Sequence, residues 1–221
     1  MNLADVRQNA ENILKELPAH VQLVAAAKAR TSDEIRAVIE AGVRIIGHNY
    51  VQEAARTMDA IAPDARCHFI GHLQKNKVRK AVTLFDLIET VDSIGLAEEI
   101  DERCAGINRV MPVLIEINSA RETRKSGVFP EDAYALAEAM AAFPHIKVMG
   151  LMTMGPVSGS PGETRAAFAE TRKAFDYIKA KAIPGVEMKY LSMGMTGSYG
   201  IAIEEGANIV RIGTKIFGER E

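Results

Sequence analysis

Apolar and polar positions along this chain follow two periods that repeatedly give way to one another. Leu3, Val6, Ala10, Ile13, Leu14 and Leu17 recur at three- and four-residue spacing, which predicts a helix over 3–17 that Pro18 stops. The apolar run Leu23, Val24, Ala25, Ala26, Ala27 then ends in Lys28 and predicts a short buried strand. Thr31 and Glu34 have the spacing of a capping box, so a helix is expected over 32–41, with Ile35, Val38 and Ile39 inward and Gly42 at its end. There follow a strand over 43–47 with His48 and Asn49 at its exit, a helix over Val51–Ile61, and a strand over 67–71 with His72 at its exit.

The alternation continues to the end of the chain. Further strands are expected over 87–91, 111–117, 147–154, 189–193 and 208–213, the one over 111–117 leaving at Asn118. Between them lie a helix through Ala97, Ile100 and Cys104, a helix that Pro130 opens and that runs to about 142, a long helix over 163–181 and a short one through Ile201 and Ile203. Phe168, Thr171, Phe175 and Ile178 form the inward stripe of the long helix. The loop 119–127 carries Arg121, Arg124 and Lys125, and the loop 155–162 is the richest in glycine and proline.

Strands separated by helices mean a parallel sheet covered by helices. Eight such units predict closure into a single (β/α)8 TIM barrel, with an extra N-terminal helix and one domain over 1–221. A doubly wound open sheet is the alternative, and the lack of a Gly-x-Gly-x-x-Gly turn after the first strand weighs against its dinucleotide-binding form.

Composition narrows the class. With 221 residues, 48% hydrophobic and 25% charged, and a net charge of -2, the chain has the length for one large core. No apolar stretch is long enough to span a membrane, and the acidic, amphipathic N-terminus lacks the apolar core of a signal peptide. Cys67 and Cys104 make no disulfide framework, so a cytoplasmic location is expected. The slight acidity argues against nucleic-acid binding, and the basic run 75–80 reads as a solvated helix face.

The chemistry collects at the strand exits, where barrels place their sites. Lys28 follows small residues, and alternation puts it on the face of Val24 and Ala26. From that stretch alone it is either a desolvated nucleophile or a lysine that snorkels its amine to water. The loops after strands seven and eight, 192–198 and Gly213-Thr214, supply glycine amides and hydroxyls, and Gly197 and Ser198 precede a short helix. They are either a phosphate site or plain glycine turns. Arg211 shares a face with Ile209 and Gly213; if Gly213 lines a phosphate, Arg211 points into the mouth below it, where it needs an acceptor: Glu116, or the ring nitrogen of a ligand. Arginine against a pyridine nitrogen is one way to hold pyridoxal phosphate.

Longer stretches carry a resemblance. Ala25 to Lys28, Ile46 to Glu53, His68 to Lys77, Lys125-Ser126-Gly127, Gly150 to Met154, Leu191 to Met195 and Val210 to Gly218 resemble the pyridoxal-phosphate homeostasis family, itself similar to the N-terminal barrel of bacterial alanine racemase. The resemblance implies pyridoxal 5'-phosphate as cofactor, held as a Schiff base on Lys28. It implies Arg211 near the pyridine nitrogen, Ser192, Gly213 and Thr214 near the phosphate, and Asn49 beside the ring or its O3 atom. The full expected cofactor-binding set is Lys28, Asn49, His72, Ser192, Met193, Thr196, Arg211, Gly213 and Thr214. Three positions depart from the family pattern: Arg30, where a lysine is usual, and Thr196 and Gly197, where a serine and an acidic or amide residue are usual. Thr196 keeps a hydroxyl for the phosphate; no role is carried onto Gly197.

The implied function is intracellular homeostasis of the cofactor, without turnover. A racemase needs a base on each face of its substrate. Related racemases take the second, a tyrosine, from an added domain of a partner subunit, and this sequence ends at Glu221 just after the last strand. An arginine also leaves the ring nitrogen unprotonated and weakens the electron sink. The alternative is a racemase-like enzyme of weak activity. Apo-enzymes that accept the cofactor are the expected partners, and the chain is expected to be a monomer or weak homodimer. A metal hydrolase built on His48, His68 and His72 lacks the usual ligand spacing. A Schiff-base aldolase would have no use for Arg211. Met193 and Met195 read most simply as packing.

Overall fold

The computed structural model describes residues 2–61, 63–123 and 125–219; Arg124, part of the basic loop, and the terminal Glu221 lie outside them. Eight parallel strands close into a barrel in sequence order: β1 (Gln22–Ala26), β2 (Ile45–His48), β3 (Arg66–Phe69), β4 (Leu87–Val91), β5 (Met111–Ile117), β6 (Ile146–Thr153), β7 (Val186–Ser192) and β8 (Ile209–Ile212). β8 returns to β1 with Val24 opposite Arg211, which completes the ring. The barrel expectation therefore holds, and the open sheet is excluded.

The helices are α1 (Leu3–Glu16), α2 (Ser32–Glu40), α3 (Val51–Ile61), α4 (Val78–Leu84), α5 (Ile94–Ala105), α6 (Ala133–Met140), α7 (Pro161–Lys181), α8 (Tyr199–Glu204) and α9 (Thr214–Phe217). Capping boxes open three of them: Asn2 with Asp5, Thr31 with Glu34, and Ser160 with Glu163. Each satisfies two amides that the first turn leaves unpaired, which contributes about 1 kcal/mol. The extra helix α1 buries Val6, Ala10 and Ile13 and packs on α2 and α9.

Several boundaries move. α7 starts at Pro161, because proline fits the first helical position, where no N–H is needed. The basic run after His72 begins as a 3-10 turn, Lys75–Lys77, and so does the helix at Pro130, over Pro130–Asp132. β7 begins at Val186, earlier than expected, and α9 is a turn that periodicity did not reveal.

The core has two compartments. Most apolar side chains fill the layer between sheet and helices, including Leu23, Ala25 and Ala27 of the first strand segment and Phe168, Phe175 and Ile178 of α7. Inside the barrel, Val24, Ile45, Ile70 and Ile209 pack on one side, and Leu87, Leu114, Met149 and Met152 on the other. Tyr190 touches both groups. The interior is thus plugged by side chains, and any ligand has to sit at the carboxyl ends of the strands.

Candidate functional site

Lys28 stands at the first strand exit, but not as the last strand residue. β1 ends at Ala26; Ala27 N–H still donates to Gly47 O at 2.9 Å, and Arg30 N–H closes a turn on Ala27 O at 3.2 Å. Ala29 takes a left-handed φ of 58° in that turn, and its amide donates to Glu53 Oε2. Val24 and Ala26 do face the barrel interior, as alternation requires, whereas the turn carries Lys28 beyond the ladder. Lys28 is half-buried, and its amine lies 5.2 Å from the centre of the Tyr50 ring.

Asn49 follows β2 directly and is half-buried. With His72 it lines a cavity of about 200 Å³ across the mouth, walled also by Thr90, Glu116, Ser119 and Met154. His72 is exposed, with Nδ1 3.0 Å from Ser126 Oγ. Thr90 Oγ1 is buried there and meets no hydrogen-bond partner among the described residues. Burial and the nearby Asp92 push the Glu116 carboxyl up to about 7, against smaller opposing effects of Arg211 and Lys125.

The other side of the mouth is made by the exits of β7 and β8. Gly194 turns there with φ 92°, and a Cβ would come within 2.6 Å of Ala202 Cβ. Gly213 has no such φ, yet a Cβ on it would sit 3.2 Å from Ala26 O, which narrows the space beside the first strand. Thr196 and Thr214 present hydroxyls here; Thr214 is exposed and Thr196 half-buried. Among the described residues, the amides of Gly213 and Thr214 donate to no backbone carbonyl.

Below the mouth lies a buried polar relay. Arg211, 3% exposed, donates from Nη1 to Ser192 Oγ at 2.6 Å and from Nη2 to Thr153 O at 2.8 Å. Ser192 Oγ donates to Glu89 Oε2 at 2.6 Å, and His68 Nδ1 lies 2.8 Å from Glu89 Oε1. Burial pushes the Glu89 carboxyl up, but His68, Arg211 and Ser192 together hold it below the usual carboxylate range. Burial likewise lowers Arg211, which Glu89 and Glu116 counteract. Glu116 therefore acts on Arg211 through space only; the bonded partners are Ser192 and Thr153, with Glu89 Oε2 3.9 Å from Nη1. Breaking a buried charge pair of this kind costs about 3–5 kcal/mol.

One residue of the expected set, Met193, and one strand-exit histidine, His48, point elsewhere. Met193 is fully buried in the outer core, and its amide is used by Ile209 O, so its side chain does not face the mouth. His48 is the last residue of β2 and turns outward to Thr57 of α3, with Nε2 3.3 Å from the Thr57 hydroxyl. His48, His68 and His72 thus lie in three different places, and among the described residues no group of three His, Cys, Asp or Glu could hold a metal. Glu89 and His68 had no place in the expected set. The one sign of Glu89 is an acid in the middle of an apolar run, which demands a buried partner.

A closed parallel barrel with a lysine after its first strand and a buried arginine on its last defines a class, the alanine-racemase type of barrel. The family described as alanine racemase, N-terminal domain, matches residues 1–221. A relative from Aquifex aeolicus, described as a pyridoxal phosphate homeostasis protein, is 40% identical over 201 residues, covering 90% of this chain and 87% of the relative. PipY of Synechococcus elongatus, solved with pyridoxal phosphate bound, superposes with a TM-score of 0.88 at 32% identity, covering 96% of this chain and 100% of that one. The alanine racemase of Clostridium difficile gives a TM-score of 0.86 at 15% identity over 58% of its own length, a likeness of fold alone. The chain belongs to the pyridoxal phosphate homeostasis protein family.

Proposed function

We propose that this protein, as one domain over residues 1–221, holds pyridoxal 5'-phosphate in the cytoplasm and passes it to apo-enzymes without catalysing amino-acid turnover. The observation that carries the reading is Arg211. Its Nη atoms are bound within the protein, and among the described residues no acceptor meets its Nε. Three of the five guanidinium N–H groups, that on Nε among them, thus meet no acceptor among the described residues, and a buried donor calls for one.

The residues fit this cofactor. Lys28 offers a primary amine at the rim, Asn49 a side-chain amide that meets no partner among the described residues, and the Thr196, Gly213 and Thr214 cluster donors for a phosphate. Bound, the cofactor supplies an aldehyde that condenses with primary amines and a ring that withdraws electrons. Lys28 holds the aldehyde carbon, and the turn through Ala29 and Glu53 fixes where its amine emerges. Arg211 keeps its proton far more tightly than a pyridine would, so it donates to the ring nitrogen and leaves it neutral. That limits the electron sink and fits a carrier better than a fast enzyme. The relatives are described as homeostasis proteins, which supports the same reading.

The test is the absorbance spectrum of the purified protein, before and after borohydride reduction and peptide mapping. The visible band of lysine-bound cofactor is expected, with the reduced label on Lys28, and Lys28→Ala should abolish it. A band retained in Lys28→Ala, with the label on another lysine, would overturn the assignment.

A further inference from the structure

The relay beneath the mouth assigns a different end of the cofactor to Ser192. We propose that Ser192 and Glu89, backed by His68, are positioning residues that hold Arg211 with its Nε toward the pyridine nitrogen, and that Ser192 is not a phosphate ligand. This rests on the reading that pyridoxal 5'-phosphate binds here.

The argument follows the one proton of the Ser192 hydroxyl. That hydroxyl is fully buried, accepts from Arg211 Nη1 at 2.6 Å and donates to Glu89 Oε2 at 2.6 Å. A hydroxyl has a single proton to give. Here it goes to a carboxylate, so none is left for a phosphate. The Glu89 charge behind it would also repel a dianion. Ser192 therefore faces the guanidinium, and the phosphate is left to Thr196, Gly213 and Thr214.

The same bonds determine how Arg211 stands. Nη1 is fixed by Ser192 and Nη2 by Thr153 O, so the guanidinium plane cannot turn about its long axis without breaking one of them. Glu89, with no exposed surface, supplies the opposite charge that a desolvated arginine needs. His68 occupies the other carboxylate oxygen, so Glu89 cannot swing away toward the wall of β3. The relay joins β3, β4, β7 and β8, which gives it the stiffness of the barrel itself.

The test pairs each variant with two ligands: pyridoxal 5'-phosphate and its 1-deaza analogue, in which a C–H replaces the ring nitrogen. Dissociation constants are measured on the apo-protein by fluorescence. Ser192→Ala and Glu89→Gln should each weaken pyridoxal phosphate by about tenfold, the worth of one charge-assisted hydrogen bond. Both should leave the deaza analogue nearly unchanged, since the lost contact has no counterpart there. Ser192→Thr keeps the hydroxyl and should restore the discrimination. Thr214→Val should weaken both ligands alike. Equal losses for the two ligands in Ser192→Ala would overturn the relay while leaving the binding site in place. A wild-type protein that binds neither ligand would overturn the functional reading and the relay together. If Glu89→Gln does not fold, Ser192→Ala and Ser192→Thr decide the matter.

Discussion

The Thr196 hydroxyl accepts the amide proton of Lys215 at 3.4 Å, which ties the loop after β7 to the first turn of α9 after β8. Two loops far apart in sequence thereby present their hydroxyls and amides to one place. Thr214 lies next to that contact, is exposed, and has no side-chain bond of its own among the described residues. Thr214→Val, which keeps the shape and removes the hydroxyl, should weaken pyridoxal phosphate by about tenfold. Unphosphorylated pyridoxal should bind as it does to the wild type. Equal losses for the two ligands in a titration would remove Thr214 from the phosphate site.

Glu116 makes stability depend on pH in the alkaline direction. Its folded value is pushed up to about 7, from the 4.5 of an unfolded carboxyl, by burial first and Asp92 second. Between those values the unfolded chain has already lost the proton that the folded protein keeps. Stability therefore falls as pH rises from 4.5 to 7 and stays lowered above that. Glu116→Gln removes the ionisation and should raise the urea midpoint, relative to wild type, at pH 8 but not at pH 4.5. The same difference at both values would show that the carboxyl does not titrate in this range.

Much of the barrel was legible from the sequence because each strand is a separate apolar run and each helix has a clear stripe or cap. Lys28, Arg211 and the glycine loops stood out because they interrupt those runs at the exits. Parity, however, fails wherever the register shifts, as it does between Ile88 and Val91, Val113 and Ile115, and Val148 and Gly150. Glu89 lies in the first of these, and its partner Ser192 is 103 positions away, a pairing that no local pattern encodes. Met193, expected in the site, and His48, at a strand exit, illustrate the converse. His48 ends β2 and Met193 follows β7, and being near the mouth in sequence does not determine which side of the sheet a side chain takes. Pro161, in a loop rich in glycine and proline, has the look of a breaker, though at the first position of a helix it is a start signal.

His48 makes the protein sensitive to acid. It is fully buried, its Nδ1 meets no partner among the described residues, and burial holds it down to about 4 from 6.5. Below pH 6.5 the unfolded chain takes up a proton that the folded protein refuses, so stability is lost as pH falls from 6.5 toward 4. The loss amounts to roughly 3 kcal/mol over that window. His48→Gln should flatten the dependence of the unfolding free energy on pH between 6.5 and 4. A variant as acid-sensitive as wild type would assign the loss to other groups.

Carrier and enzyme are separated by the α-proton of an amino acid. A racemase needs a base on each face. At this mouth Lys28 is the amine on one side. Tyr50, whose ring lies beside that amine, is on the same side and 49% exposed. Arg211 below is a donor, and Glu89 is bound to Ser192 and His68. The holo-protein incubated with alanine or serine in heavy water should therefore exchange the α-proton slowly or not at all, as mass spectra would report. Chiral chromatography should show no inversion. Slow exchange without inversion agrees with Lys28 working from one face alone. Inversion over many turnovers at roughly 1 per second or faster, an ordinary enzymatic rate, would make the protein a racemase and end the carrier reading.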